Sequence, residues 1–404
     1  MSKLKFETGK EDDGQQARPG NVDDKGIVNK IDELLAEVLA SNATHVHVEP
    51  GAEGTRVRSR VDSDLREVAT FEAGLHPKIV NRFKILAGMD ITRNKISQRG
   101  FFRVEADELR AECNAYVFPT VHGEKITVDI LYKQGVTLSL EHLGFFTEVL
   151  KSYKEALAAP NGLVLVAGPP GSGRTTTCYA SLATMNSPQK ALAAFEPVNK
   201  YELPGVVLAA PSGGLSFAEG VRAMMESNPD VCLVGEVQDP EVARLMLAGA
   251  FAKRLVLGRM VAAHDSIQAL VTLLDMGIQP FLLTAAVNAV LAQRLVRRIC
   301  DGCKTPYSPP EQLVAEIGYK MKPDIQFYRG AGCAACGGTG FRGQIALFEL
   351  LILNDQVSEM LVARRTLPEI REQAAKSGMV SLKRDGVNKV VMGYTAVEEV
   401  LSCL

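Results

Sequence analysis

Nowhere in these 404 residues is there an uncharged apolar run of about 18, the length a membrane-spanning helix needs. The nearest stretch, Phe281 to Ala292, is short and carries Thr284 and Asn288. The first residues lack the apolar core of a secretory signal. The expected location is therefore cytoplasmic, with any membrane association made through partners. Charge of one sign is also lacking. The formal net charge is −2, so the chain does not advertise a nucleic-acid surface and no nucleic-acid partner is expected. Cysteine is sparse: eight residues in a chain this long exclude a disulfide scaffold. What remains is ordinary globular composition, 46% hydrophobic and 23% charged, enough for about two to three domains.

Residues 1–25 are polar and charged, with Gly14, Pro19 and Gly20, and are expected to be a disordered tail. Residues 26–135 read as an α+β domain. An amphipathic helix starts near Val28, with Ile31, Leu34, Leu35, Val38 and Leu39 on one stripe. Alternating segments at Ala43–Pro50, Thr55–Arg60, Leu65–Phe71, Gly100–Val104, Ala111–Phe118 and Lys125–Leu131 predict strands. A helix over Pro77–Ala87 is expected to stop at Gly88. Residues 136–299 alternate strand and helix, the pattern of a parallel α/β sheet. Its strands are expected at Leu163–Val166, Val231–Val234 and Leu255–Leu257, with a closing helix from Pro280 to Arg298. Residues 300–345 carry the paired cysteines. Residues 346–404 read as helical, with capping boxes at Thr366/Glu369 and Thr395/Glu398.

The strand at Leu163–Val166 leads into Gly168-Pro169-Pro170-Gly171-Ser172-Gly173-Arg174-Thr175-Thr176-Thr177, and a helical segment leads out. Strand, Gly-rich loop and helix make a phosphate-binding P-loop. Glycines let backbone N–H groups converge on phosphate oxygens, and the helix N-terminus adds partial positive charge. The alternative is a Gly-rich turn with no ligand. A lysine is usual where Arg174 stands; arginine keeps the charge but is planar and larger. Thr175 is placed to ligate Mg²⁺. Val231–Val234 ends at Gly235-Glu236, and a carboxylate there can hold Mg²⁺ through water or polarise the attacking water.

Cys300/Cys303 and Cys333/Cys336 form two C-x-x-C pairs, the ligand set of a closed, structural Zn²⁺ site. Two redox dithiols are the alternative. Cys113, Cys178, Cys232 and Cys403 read as ordinary core or surface residues. His45 and His47, two apart on a strand, read as polar positions of a half-exposed face rather than metal ligands, and isolated His264 is given the same reading.

These features together resemble the ATPases that drive type II secretion and type IV pilus assembly. The resemblance runs from about residue 28 to the end. It is carried by Ala43–Pro50, Arg82–Asp90 with Gln98 and Gly100, Pro119-Thr120 with Gly123-Glu124-Lys125, Pro229-Asp230, Gly235-Glu236, Gln293-Arg294-Leu295 before Cys300 and Cys303, Gly378-Met379 through Asp385-Gly386, and Glu398-Glu399. It implies an α/β fold with a RecA-like P-loop domain, an N-terminal α+β domain, a zinc-knuckle insert and a helical C-terminal region. It further implies ATP, Mg²⁺ and Zn²⁺ as cofactors and a homo- or hetero-hexameric ring. That ring would act at the inner face of the inner membrane with platform or adaptor proteins. ATP binding and hydrolysis would be coupled to pilin-like fibre assembly or protein secretion.

Departures from the family pattern fall where catalysis is expected. The acidic box reads Phe195-Glu196-Pro197-Val198-Asn199, with Phe195 in place of a carboxylate; Glu196 and Glu236 remain as candidate catalytic acids. Gln238 and Glu226 replace arginines, Arg254 and Val261 replace histidines, and the N-terminal arginine positions fall at Arg99-Gly100-Phe101 and Asn114. Phosphoryl transfer depends on positioning and charge stabilisation, and each lost clamp commonly costs a factor of about 10²–10³. A catalytically weak nucleotide-binding subunit with a regulatory or structural role is therefore the alternative to an active motor.

Overall fold

Alternation of apolar and polar residues builds the first part of the chain. The computed structural model describes residues 5–8, 25–62, 64–106, 109–132, 138–198, 201–212, 214–261, 265–319 and 325–404. The chain divides into two units, Met1–Val136 and Thr137–Leu404. The first contains β1 (Lys5–Thr8), α1 (Lys25–Ala40), β2 (His45–Pro50), β3 (Gly54–Val61), β4 (Asp64–Glu72), α2 (His76–Leu86), β5 (Gln98–Ala106), β6 (Leu109–Thr120) and β7 (Gly123–Tyr132). Its strands form an antiparallel sheet in the order β1-β5-β6-β7-β2-β3-β4. Alternate residues of β7 (Glu124, Ile126, Val128 and Ile130) are buried, as one covered face requires. Ile31, Leu35 and Leu39 of α1 and Ile79 and Phe83 of α2 join Ile126 and Val128 in that core.

Lys5–Thr8 departs from the expected disorder. It pairs with β5, Lys5 opposite Glu105 and Thr8 opposite Phe102, and Phe6 packs near Phe102 with ring centroids 6.4 Å apart. A four-residue strand with one apolar anchor carries too little periodicity to show in sequence. Lys25 opens α1, and the rest of the expected tail lies outside the described residues.

In the second unit, near-continuous apolar runs replace alternation, the signature of strands buried on both faces. The elements are α3 (Thr147–Leu157), β8 (Gly162–Ala167), α4 (Arg174–Met185), β9 (Leu192–Phe195), β10 (Val206–Ala209), α5 (Phe217–Glu226), β11 (Val231–Val234), α6 (Pro240–Phe251), β12 (Leu255–Met260), α7 (Ser266–Asp275), α8 (Pro280–Ala286), β13 (Val287–Ile299), β14 (Lys304–Tyr307), α9 (Glu311–Glu316), β15 (Phe327–Gly330), β16 (Phe341–Ile352), α10 (Asp355–Val362), α11 (Leu367–Lys376), α12 (Leu382–Val391) and α13 (Val397–Cys403). The main sheet runs β10-β9-β11-β12-β8-β13-β16, parallel except for the β13–β16 pair; β14 and β15 form a separate hairpin-like pair. Every residue of β8 is buried. One face of the sheet packs against α5, α6, α7 and α8, the other against α3 and α4. Among the described residues no helix is long and apolar enough to cross a membrane.

Two expected helical regions differ. The helix from Pro280 ends at Ala286, and Val287–Ile299 is a strand between β8 and β16. Its buried run of Val and Leu fits either a buried helix or a buried strand by periodicity alone; the vacant place beside β8 decides it. Arg297 and Arg298 therefore sit on a strand, where Arg297 pairs with Glu399. The region from residue 346 opens with the second half of β16 rather than a helix, so this strand runs across the expected boundary at 345. The Thr366/Glu369 capping box forms. That at Thr395/Glu398 does not: Ala396 caps α13, and the Thr395 hydroxyl donates to the Arg297 carbonyl.

Candidate nucleotide site and candidate metal centre

Parallel pairing brings the strand ends to one edge of the sheet. In register, Ala167 of β8 lies opposite Met260 of β12, and Val234 of β11 lies opposite Gly258 of β12 and Phe195 of β9. The residues that follow β8, β9 and β11 (the P-loop, Glu196 and Gly235-Glu236) therefore emerge together, joined by Arg259, the next-to-last residue of β12. This carboxyl edge is where open α/β sheets hold ligands.

The P-loop has the backbone that phosphate binding requires. Gly168, Gly171 and Gly173 have φ of 154°, 79° and 85°, and Gly173 caps α4. A Cβ on Gly173 would come within 2.6 Å of Gln293 Nε2. That Gln293, only 2% exposed, is the loop's brace: Nε2 donates to the Ser172 carbonyl at 2.7 Å, and Oε1 accepts from the Thr177 hydroxyl at 2.7 Å. In sequence Gln293 reads only as part of the approach to the cysteines. Its bracing role depends on β13 lying beside β8, which the expected helix concealed. Ser172 N–H donates to the Pro169 carbonyl across the loop, Pro170 follows in the same turn, and the Thr176 hydroxyl meets that of Tyr201 at 2.9 Å.

Glu196 and Phe195 leave β9 on opposite faces. The Phe195 ring packs against Phe217 at 5.2 Å, in the core under α5, so it has no place among the polar groups. Glu196 is fully buried on the other face. Its Oε2 accepts from the Tyr179 hydroxyl at 2.7 Å, and its Oε1 lies 2.8 Å from Arg259 Nη2. Burial and the Glu196 charge push the Tyr179 phenol well above its ordinary pKa, so it remains a neutral donor. Arg259 also donates from Nε to the Gly235 carbonyl and from Nη1 to Thr175 Oγ1. Half-buried Arg174 and Glu236 complete the cluster. Burial and the neighbouring Arg259 lower the pKa of Arg174, while Glu236 pulls it back up.

Other singled-out positions fall elsewhere. Arg254 lies at the opposite end of β12, where its carbonyl accepts from Gly162 N–H and its guanidinium reaches Asn228 Oδ1 at 3.1 Å. Gln238 and Glu226 are exposed, and Val261 is half-buried. Asn199 and His264 lie outside the described residues. In the first unit, Asn114 and Phe101 are cross-strand partners on β6 and β5. His45 Nε2 lies 3.4 Å from Asp129, and His47 Nδ1 lies 3.4 Å from Thr127 Oγ1. Both are sheet-face contacts, as expected.

The site can be tested for the ions the fold implies. A magnesium ion at a P-loop is held by the hydroxyl that follows the basic residue and by a strand-end carboxylate. Here Thr175 Oγ1 and Glu196 already meet the Arg259 guanidinium, while Glu236, the strand-end carboxylate expected from sequence, is half-buried near Arg174. With Arg259 in place, Thr175 and Glu196 do not fit a magnesium ion.

The four cysteines do fit zinc. Cys300, Cys303, Cys333 and Cys336 bring their sulfurs within 4.8 Å of one another. Cys300–Cys333, Cys303–Cys336 and Cys333–Cys336 separations are 3.9, 3.8 and 3.8 Å. Ligands about 2.3 Å from a tetrahedral zinc stand about 3.8 Å apart. Cys333 N–H, 3.2 Å from the Cys336 sulfur, and Gly340 N–H, at 3.3 Å, pull that thiol down to about 6, toward the thiolate a metal requires. Cys113, Cys178 and Cys232 are buried elsewhere, and Cys403 is half-buried.

A parallel sheet with a P-loop at its carboxyl edge and an antiparallel N-terminal unit defines a RecA-like P-loop protein. A family model described as "Type II/IV secretion system protein" matches residues 21–402, and the chain belongs to that family. It is 33% identical over 389 residues to the type IV pilus assembly ATPase PilB of Thermus thermophilus, covering 95% of this chain and 44% of that protein. It is 35% identical over 381 residues to type II secretion system protein E of Pseudomonas aeruginosa, covering 94% of this chain and 76% of that protein. The solved structure of the Legionella pneumophila ATPase DotB shares the fold at a TM-score of 0.69 and 14% identity, over 93% of this chain and 95% of that one.

Proposed function

We infer that this chain is the ATP-binding, motor-type subunit of a type II secretion or type IV pilus-like system. One observation carries the reading. A glycine-cornered P-loop, braced by Gln293, meets Arg174, Glu196, Glu236 and Arg259 at the carboxyl edge of a parallel sheet. Gly168, Pro169, Pro170, Gly171, Ser172, Gly173, Arg174, Thr175 and Thr176 cradle the phosphates with backbone N–H groups and the α4 N-terminus. Arg174 supplies charge to the outer phosphates. Glu236, half-exposed beside Arg174, orients the attacking water, and Glu196 holds Arg259 in place. Cys300, Cys303, Cys333 and Cys336 hold a structural zinc. The subunit assembles as a homo- or hetero-hexamer on the cytoplasmic side of the inner membrane, against a platform or adaptor protein. There nucleotide binding and turnover drive fibre assembly or protein secretion.

A second reading, a nucleotide-binding subunit with little turnover, is favoured by the Arg259–Thr175 contact, because a guanidinium cannot supply the bridging coordination of a divalent ion. Phosphate release by the purified chain separates the two. Turnover abolished by Arg174→Ala supports the motor. Bound ATP without turnover supports the regulatory subunit. Absence of ATP binding overturns both.

A further inference from the structure

We propose that Arg259 is a built-in replacement for the divalent cation, so that this site takes a nucleoside triphosphate without magnesium. The inference rests on the nucleotide-binding reading and adds to it the form of the ligand.

The geometry is that of a cation site already filled by a side chain. The P-loop hydroxyl Thr175 Oγ1, the carboxylate of Glu196 and the Gly235 carbonyl at the end of β11 converge on a single positive group. Oxygen ligands of these kinds, a hydroxyl, a carboxylate and a carbonyl, are what a hard cation selects. Here the carbonyl and the hydroxyl accept from two nitrogens of one guanidinium and the carboxylate stands 2.8 Å from the third, which fixes both its plane and its position.

Alternatives for these groups are closed off. Glu196 has no exposed surface, and its second oxygen accepts from Tyr179, so it is not free to turn toward an ion. Arg259 is held from its backbone as well, because its carbonyl accepts from Val237 N–H at 2.8 Å. A dication placed at Thr175 would be in contact with a guanidinium and repelled by it. A free polyphosphate would meet Arg174 and Arg259 together, with charge-assisted hydrogen bonds in place of metal coordination.

The test is equilibrium binding of a fluorescent ATP analogue to the full chain at constant ionic strength, with either magnesium or EDTA present. The wild type is expected to bind equally, within about twofold, in both. Arg259→Thr is expected to lose about tenfold or more in EDTA and to recover in magnesium, the scale of one or two lost charge-assisted bonds. Wild-type binding that weakens about tenfold in EDTA overturns the proposal while leaving the nucleotide reading intact. No binding in either buffer overturns both. The wild-type comparison needs no variant, so it decides the matter even if Arg259→Thr does not fold. Arg259→Lys, which retains the charge, is expected to keep most of the EDTA binding.

Discussion

Arg259 Nη2 stands 2.8 Å from Oε1 of Glu196, a carboxylate with no exposed surface. The pair joins the end of β9 to the end of β12, and through Thr175 and Gly235 it touches the P-loop and β11. Removing one partner leaves an uncompensated buried charge, which typically costs about 3–5 kcal/mol. Arg259→Met is expected to destabilise the second unit by about that much in urea denaturation, and Arg259→Met with Glu196→Gln to recover most of it. A loss below about 1 kcal/mol in the single variant would show that the pair is not held as described.

Gln293 is the brace of the P-loop, with one bond to the Ser172 carbonyl and one from Thr177. Gln293→Ala leaves two buried groups unpaired, at about 1–3 kcal/mol each. It is expected to lower the melting temperature and to weaken ATP binding by about tenfold or more, as measured by calorimetric titration. Gln293→Glu keeps the acceptor to Thr177 but loses the donor to Ser172, and is expected to fall near the alanine variant. Unaltered ATP affinity in both would remove Gln293 from the site.

Elemental analysis is expected to find one zinc per chain, lost in Cys333→Ser. Ligand thiolates form and the knuckle orders together with metal, so a chelator should lower the stability of the second unit. Tightly bound zinc that survives Cys333→Ser would place the metal elsewhere.

In the first unit, Glu49 accepts from Arg58 Nε and Nη2 at 2.9 Å each and pairs with Lys125 at 3.0 Å. Burial raises its pKa, but the Arg58 and Lys125 bonds outweigh this and hold it at about 2, against an ordinary 4.5. A depressed carboxylate stabilises the fold above its unfolded pKa, and the contribution is lost as pH falls through the folded value. Glu49→Gln is therefore expected to cost about 2–3 kcal/mol at neutral pH, with the difference from wild type shrinking between pH 4.5 and about 2. Denaturation curves of the two proteins across that window check it. A difference that stays constant with pH would contradict the ion-pair account.

Sequence reading reached the elements whose local chemistry is self-contained. The P-loop glycines, the two C-x-x-C pairs, the strands of the first unit other than Lys5–Thr8 and the Thr366/Glu369 cap are each set by residues within a few positions of one another. It missed what depends on a distant neighbour. Val287–Ile299 is a strand because β8 and β16 leave a gap for it, and Gln293 braces the P-loop only as a consequence. Phe195 reads as a lost carboxylate, whereas it fills the core against Phe217 while Glu196 faces the site. In sequence Arg254 reads as a replaced histidine; the strand that follows it puts it at the far end of the sheet from Arg259. A period-two count from Leu255 and the parallel pairing with β8 together would have separated them.

Calorimetric titration of the full chain with ATP, beside Gly173→Val, tests the central claim most directly. At Gly173 φ is 85°, and an added Cβ would press on Gln293 at 2.6 Å, so valine must distort the loop. The predicted result is one ATP site per chain in the wild type and none in the variant, with circular dichroism showing both folded. ATP binding absent from the wild type, or unchanged in Gly173→Val, would contradict a nucleotide site at this loop.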